Sequence, residues 1–162
     1  MWRLRYRPKK KADGQRKSTL RVQIPTLSSL VKKLDRIFSE YIRKLYRNDH
    51  GEVQCVTCGT WKPWKEMDAG HYIDRTHLSL RFSEKNVHPQ CRKCNRFQNG
   101  RLPDYALFLI VKYGKTILEE LDYKKRKITR FTTKDLELLI YDYVKKLKKL
   151  DDNFKRTKKN GP

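Results

Sequence analysis

The chain has 162 residues, with 40 Lys and Arg against 18 Asp and Glu and a formal net charge of +22. That length suits one modest domain with extensions, and the charge favours a polyanionic partner, nucleic acid first, because a cationic surface gains affinity by releasing counterions condensed on phosphates. No apolar run is long enough to span a bilayer, and residues 1–17 lack the apolar core of a secretory signal, so a membrane partner is not expected and a reducing cytoplasm is.

Residues 1–26 read as a flexible basic arm without apolar periodicity. Arg3, Arg5, Arg7, Lys9, Lys10 and Lys11 are its candidate phosphate contacts, and the plainer alternative is a solvated tail. Pro25 and Thr26 announce a helix over residues 27–49, in which Leu30, Leu34, Ile37, Phe38, Tyr41 and Leu45 form one apolar stripe. Asn48 to Gly51 supply turn chemistry that ends it.

Residues 53–100 carry the most specific signal. Two Cys-x-x-Cys pairs, Cys55/Cys58 and Cys91/Cys94, use every cysteine in the chain. Four thiolates at this spacing suit one tetrahedral Zn²⁺, and a closed four-sulfur site is structural because it has no open coordination position. In a reducing compartment zinc is preferred over two disulfides. Between the pairs, Trp61 to Ile73 suits short strands, and Leu80 to Phe82 with Asn86 to His88 suggests a second extended piece. Cys91 to Phe97 should open a helix, closed by Gly100 and Pro103.

Residues 103–150 read as helical. Tyr105 to Val111 is dense enough in apolar side chains to be buried, Gly114 is a break, and Thr116 to Leu121 starts a short helix. Thr132 and Asp135 resemble a capping box with Asp for Glu, ahead of a stripe of Leu136, Leu139, Ile140, Tyr143, Leu147 and Leu150. Residues 151–162 read as a basic tail. The expected class is α+β, a single domain over 27–150 with a small zinc-clamped core flanked by N- and C-terminal helices.

The strings Asp68-Ala69-Gly70-His71-Tyr72 and Leu80-Arg81-Phe82-x-Glu84-x-Asn86-Val87-His88-x-Gln90-Cys91-x-x-Cys94-Asn95 resemble the NinG, or Rap, family of lambdoid phage recombination proteins. The same constellation resembles the zinc-containing branch of HNH, or ββα-metal, nucleases, with Asn95 in the final H position. The resemblance covers about residues 30–149. It implies a structure-selective, Mg²⁺-dependent DNA endonuclease (Mn²⁺ a possible substitute) acting on branched intermediates such as Holliday junctions and D-loops. It also implies a bacterial host cell as the setting. Symmetric cleavage of a four-way junction would favour a homodimer.

Carried over, the resemblance makes His71 the general base, Asn95 a ligand of the catalytic metal, and Asn86 the residue that holds the His71 loop by bonding to backbone. Many HNH nucleases have a metal-binding Asp immediately before the catalytic His, where this chain has Gly70. Asp68 is the best remaining carboxylate, but in a regular strand it faces away from His71, and only a bulge or bend at Ala69-Gly70 would bring it to the metal. Arg75, Arg92, Lys93 and Arg96 flank the motif as candidate DNA contacts. His88 reads either as a further metal or phosphate contact or as packing beside the zinc knuckle. Trp61, Trp64 and Phe82 read as base-stacking platforms or as core. The resemblance includes family members with an additional cysteine-rich finger near the N-terminus, where this chain has only the basic arm. The competing functions are a non-catalytic zinc-ribbon nucleic-acid-binding protein and an HNH nicking or homing-type endonuclease.

Overall fold

The computed structural model describes residues 24–159. The arm cations Arg3 to Lys11 lie outside the described residues. The chain forms a mixed α+β structure with two small antiparallel sheets among helices. Helix α1 (Leu27–Leu45) starts where the Thr26 hydroxyl accepts from the Ser29 amide at 3.2 Å. It ends at Leu45 rather than in the 49 region because the Asn48 side chain caps a turn, accepting from the amides of His50 and Glu52. Its apolar stripe meets α5 (Thr133–Lys159), where Leu136, Ile140 and Tyr143 bury against Leu30, Leu34, Phe38, Tyr41 and Ile42. The predicted capping box is present: the Thr132 amide donates to Asp135 at 2.8 Å, and the Asp135 amide donates back to Thr132 Oγ1 at 3.2 Å.

Strands β1 (Glu52–Gln54) and β2 (Trp61–Pro63) pair as a hairpin that carries the first cysteine pair in its turn. Gly59, at φ 73°, makes that reversal possible. Strands β3 (Met67–His71) and β4 (Val87–Cys91) pair antiparallel in unbroken register, from Met67 opposite Cys91 to His71 opposite Val87. No bulge interrupts the pairing at Ala69-Gly70. Leu80 to Phe82 is not extended, as expected, but lies in and just after a helical turn, α2 (Leu78–Arg81). Leu80 is fully buried against Tyr105, Leu109, Ile117 and Leu121, and burial rather than alternation explains its apolar run.

After β4 the chain makes a widened, π-type helical turn, Lys93–Phe97. It reverses through Asn99, Gly100 and Arg101, all at positive φ. Pro103 does not close this helix. It sits in the first turn of α3 (Leu102–Tyr113), where its missing N–H costs nothing. Gly114 ends α3 and α4 (Ile117–Lys125) follows.

Helix α5 runs to Lys159, so the expected basic tail from 151 is helix over most of its length, and residues 160–162 lie outside the described ones. No Gly or Pro interrupts it, and Asp151 holds it to Lys44 of α1 at 2.8 Å and to Arg47, just past the end of α1, at 3.0 Å. Among the described residues no helix is long and apolar enough to cross a membrane.

Candidate functional site

The sulfurs of Cys55, Cys58, Cys91 and Cys94 all lie within 4.8 Å of one another. Tetrahedral zinc with bonds of about 2.3 Å puts sulfurs about 3.8 Å apart, and Cys58 and Cys91 stand at 3.8 Å. The Cys91 amide donates to Cys55 Sγ at 3.3 Å. Donor type, number and spacing thus fit a metal such as zinc. The cluster joins the β1–β2 hairpin to the end of β4 and to the helical turn, and Val53 and Met67 pack beside it.

On the far side of that turn a cleft of about 600 Å³ brings together Asp68, His71 and Tyr72 of the β3 region with Asp35 and Ser39 of α1, Asp74 and Arg75 of the following loop, and Asn95 and Arg96 of the turn. Asp68 and His71 leave a regular strand on opposite faces, yet both line this one cleft, together with residues of α1 and of the helical turn. Asn95 Nδ2 donates to Asp68 Oδ2 at 3.1 Å, and its amide oxygen has no hydrogen-bond partner among the described residues. Arg96 clamps the same carboxylate with two bonds of 2.7 Å. Partial burial works against the Asp68 charge, but the bonds from Arg96 and Asn95 prevail and hold its pKa below the ordinary carboxylate value.

His71 is half-buried, and its Nε2 lies 3.0 Å from the Arg81 carbonyl. A carbonyl only accepts, so Nε2 carries the proton and Nδ1 keeps the lone pair. Burial lowers the His71 pKa, partly offset by that carbonyl and by Asp35. Asn86 is fully buried. Its Oδ1 accepts from the Ile73 amide at 2.8 Å, and its Nδ2 donates to the carbonyls of Ile73 and Leu80 at 2.8 and 3.2 Å. It therefore ties the two ends of the loop after His71 to each other.

Gly70 is demanded by packing. A Cβ there would lie 2.1 Å from Gln90 Oε1, so no acidic side chain fits beside His71. Gly70's carbonyl accepts from the Tyr105 hydroxyl at 2.8 Å, and that hydroxyl lies 3.1 Å from His88 Nδ1. With Tyr113 2.9 Å from Nε2, both nitrogens of the fully buried His88 are satisfied. His88 is thus a packing residue among Tyr46, Tyr105, Phe108 and Tyr113, and not a metal or phosphate contact.

The other sequence candidates divide. Arg75 and Arg96 line the cleft, whereas exposed Arg92 and Lys93 line a second, basic one of about 350 Å³ with Lys62 and Arg101 beside the cysteines. Phe82 is core, edge-on to Phe38, and Trp64 lies under the cations of Arg43 and Lys44. Trp61 is exposed. The residues that sequence reasoning missed are Asp35 and Asp74 in the cleft and the Arg81 carbonyl. Nothing in helical spacing marks Asp35, and a main-chain acceptor leaves no trace in residue type. Arg81 does stand inside the Leu-Arg-Phe string.

The family model described as "Bacteriophage Lambda NinG protein" matches residues 3–153. "Protein ninG" of Salmonella phage P22 is 33% identical over 126 residues, covering 76% of this chain and 58% of the relative. "Protein ninG" of Escherichia phage lambda is 32% identical over 123 residues, covering 74% and 56%. The chain spans little more than half the length of these curated relatives. No solved structure matches it.

Proposed function

This chain belongs to the NinG family of lambdoid phage proteins, and we propose that it is a structure-selective DNA endonuclease that hydrolyses phosphodiester bonds at branches such as Holliday junctions and D-loops. The observation that carries this reading is the meeting of an oriented imidazole, a carboxylate and a carboxamide in one cleft with surrounding arginines, on a strand pair and helical turn clamped by four cysteines. The order β3, β4, helical turn supports a ββα-metal, HNH-like core with Asn95 on its helical part.

In this reading His71 Nδ1 takes the proton of a water attacking phosphorus, while its Nε2–H stays bonded to Arg81 so that the ring keeps its aim. The 3′ oxygen departs as the new P–O bond forms. Asp68 and the free amide oxygen of Asn95 are hard donors that would hold Mg²⁺, or Mn²⁺ in its place, and that ion would supply charge stabilisation at the phosphate. Arg96, whose guanidinium fork fits phosphate as well as carboxylate, can leave Asp68 for the DNA backbone. Arg75, Arg92 and Lys93 extend the cationic surface, and the arm from Arg3 to Lys11 adds charge. Two copies acting on a four-way junction would cut it symmetrically.

A second reading, a non-catalytic zinc-ribbon nucleic-acid-binding protein, is favoured by the Asp68–Arg96 pair itself, which occupies the carboxylate. A cleavage assay on linear, forked, D-loop and four-way DNA with Mg²⁺ separates the two. His71→Ala and Asn95→Ala are expected to lose cleavage by at least about a hundredfold while still binding the junction, because general-base catalysis contributes about 10²–10⁴ and binding rests on dispersed cations. Wild-type protein that binds every branch and cuts none establishes the second reading instead. An HNH nicking or homing-type enzyme would show as sequence-dependent cutting of linear duplex.

A further inference from the structure

We propose that the ion pair between Asp35 of α1 and Arg81 of α2 positions the His71 base, fixing its tautomer and aim from outside the strand that carries it. This rests on His71 acting as the base in the proposed endonuclease. Arg81 has two attachments that meet in one residue. Its guanidinium forks onto Asp35, with Nε 2.9 Å from Oδ1 and Nη2 2.6 Å from Oδ2, while its main-chain carbonyl receives His71 Nε2 at 3.0 Å. Nη1 also reaches the Arg75 carbonyl at 3.4 Å, on the loop that leaves β3.

The carbonyl alone is a weak anchor. It ends a helix of four residues, far too short to hold its own geometry. Its position must come from tethers. Leu80 is buried, Asn86 Nδ2 bonds the Leu80 carbonyl, and Arg81 is bound to Asp35. The first two fix the residue before Arg81. The fork onto Asp35 fixes Arg81 itself with two short bonds, against the single longer one to the Arg75 carbonyl, and it does so to α1, a helix of 19 residues packed along α5. The base is thereby registered against the packed α1–α5 pair, not merely against its own loop.

The charges facing His71 are Asp35 from α1, Asp74 and Arg75 from the loop, and Arg81 from α2, with Asp68 and Arg96 further along the cleft. Within this set the fork keeps Asp35 and Arg81 paired, so neither charge acts on the imidazole alone. The carboxylate also holds Arg81 back from DNA phosphate, which would otherwise draw it, and its carbonyl, away from Nε2.

The test uses the full zinc-loaded chain with Mg²⁺ and a four-way junction. The variants are Asp35→Asn, Arg81→Lys, Arg81→Gln and the double Asp35→Asn/Arg81→Gln, with thermal melts to verify folding. Each single variant is expected to lose about tenfold in kcat, a fraction of the about 10²–10⁴ a general base supplies, with KM for the junction unchanged. Nitrogen NMR of the His71 ring, read without DNA, should shift from one Nε2–H form toward a mixture. The double variant should be no slower than the slower single, because partners in one device are not additive. Arg81→Lys, which keeps the charge and loses the fork, gives the same reading if Asp35→Asn does not fold.

Wild-type kcat together with a wild-type ring spectrum in the folded variants overturns the proposal. So does a double variant that loses the full product of the single effects. If instead His71→Ala cleaves as well as wild type, the base assignment under the proposed function fails. The ring spectra would then still report whether the pair sets the tautomer.

Discussion

Gly70 shows how one residue fixes the composition of the cleft. Because a Cβ there would lie 2.1 Å from Gln90 Oε1, and 2.8 Å from Cδ of the same fully buried side chain, Gly70→Ala must displace Gln90 from its 2.7 Å bond to the Gly100 carbonyl. We expect a loss of about 1–3 kcal/mol, the usual cost of overpacking, measured by denaturant unfolding. His88 gives a second expectation. Burial, reinforced by the charge of Lys112, pushes its pKa down to about 3. Below pH about 6.5 the unfolded chain takes up a proton that the folded one refuses. The stability His88 contributes is therefore full above pH about 6.5 and is lost as pH falls toward 3, at about 1.4 kcal/mol per pH unit. Unfolding curves between pH 4 and pH 7 should be flatter by that slope in His88→Gln than in wild type. Parallel slopes would show that this histidine is protonated in the folded state too.

At the scale of elements, the β1–β2 hairpin is the dependent part. Its strands have three residues each, and β2 is exposed along its whole length. An isolated hairpin of this kind is marginal in water. What holds it is the cysteine cluster, with Val53 and Met67 beneath. We expect about one zinc per chain, and chelation should melt the hairpin and the Lys93–Phe97 turn first. The α1–α5 pair has its own core of Leu34, Phe38, Ile42, Leu136 and Tyr143. It should keep its amide protection longer in hydrogen exchange. Simultaneous loss of both regions would show that the metal supports the entire fold, and a well-folded protein free of metal would remove zinc from the account.

For the whole molecule, the charge of +22 sets the salt response. Each phosphate contact on duplex DNA adds about −0.9 to the slope of log K against log salt. Residues 3–17 carry eight Lys and Arg against Asp13, so deleting residues 1–20 should flatten the slope and weaken binding to all DNA shapes by similar factors. If the proposed function holds, branch preference should persist in the deletion, because dispersed cations read charge density and shape selection would fall to the remaining chain. An unchanged slope would make the arm a passive tail, and a specific loss of branch preference would place it in the recognition surface.

The sequence alone determined the features that depend on local pattern or ligand chemistry. Helical spacing marked the α1 stripe, hydroxyl and carboxylate spacing marked the Thr132–Asp135 cap, and four cysteines in two pairs marked the metal cluster. Local signals misled where burial overrode them: Leu80 enters a helical turn because α3 and α4 cover it, and α5 outruns its apolar stripe because Asp151 binds Lys44 and Arg47. Only the tertiary structure decided the cleft. Asp68 and His71 alternate on their strand, and it takes α1 and the helical turn packed alongside to enclose both in one cleft. Asp35 lies 46 residues from Arg81, and His71 is held by a carbonyl. Long-range pairing and main-chain acceptors are invisible to periodicity, because residue type encodes side chains and their near neighbours, while a site is set by what folding brings alongside.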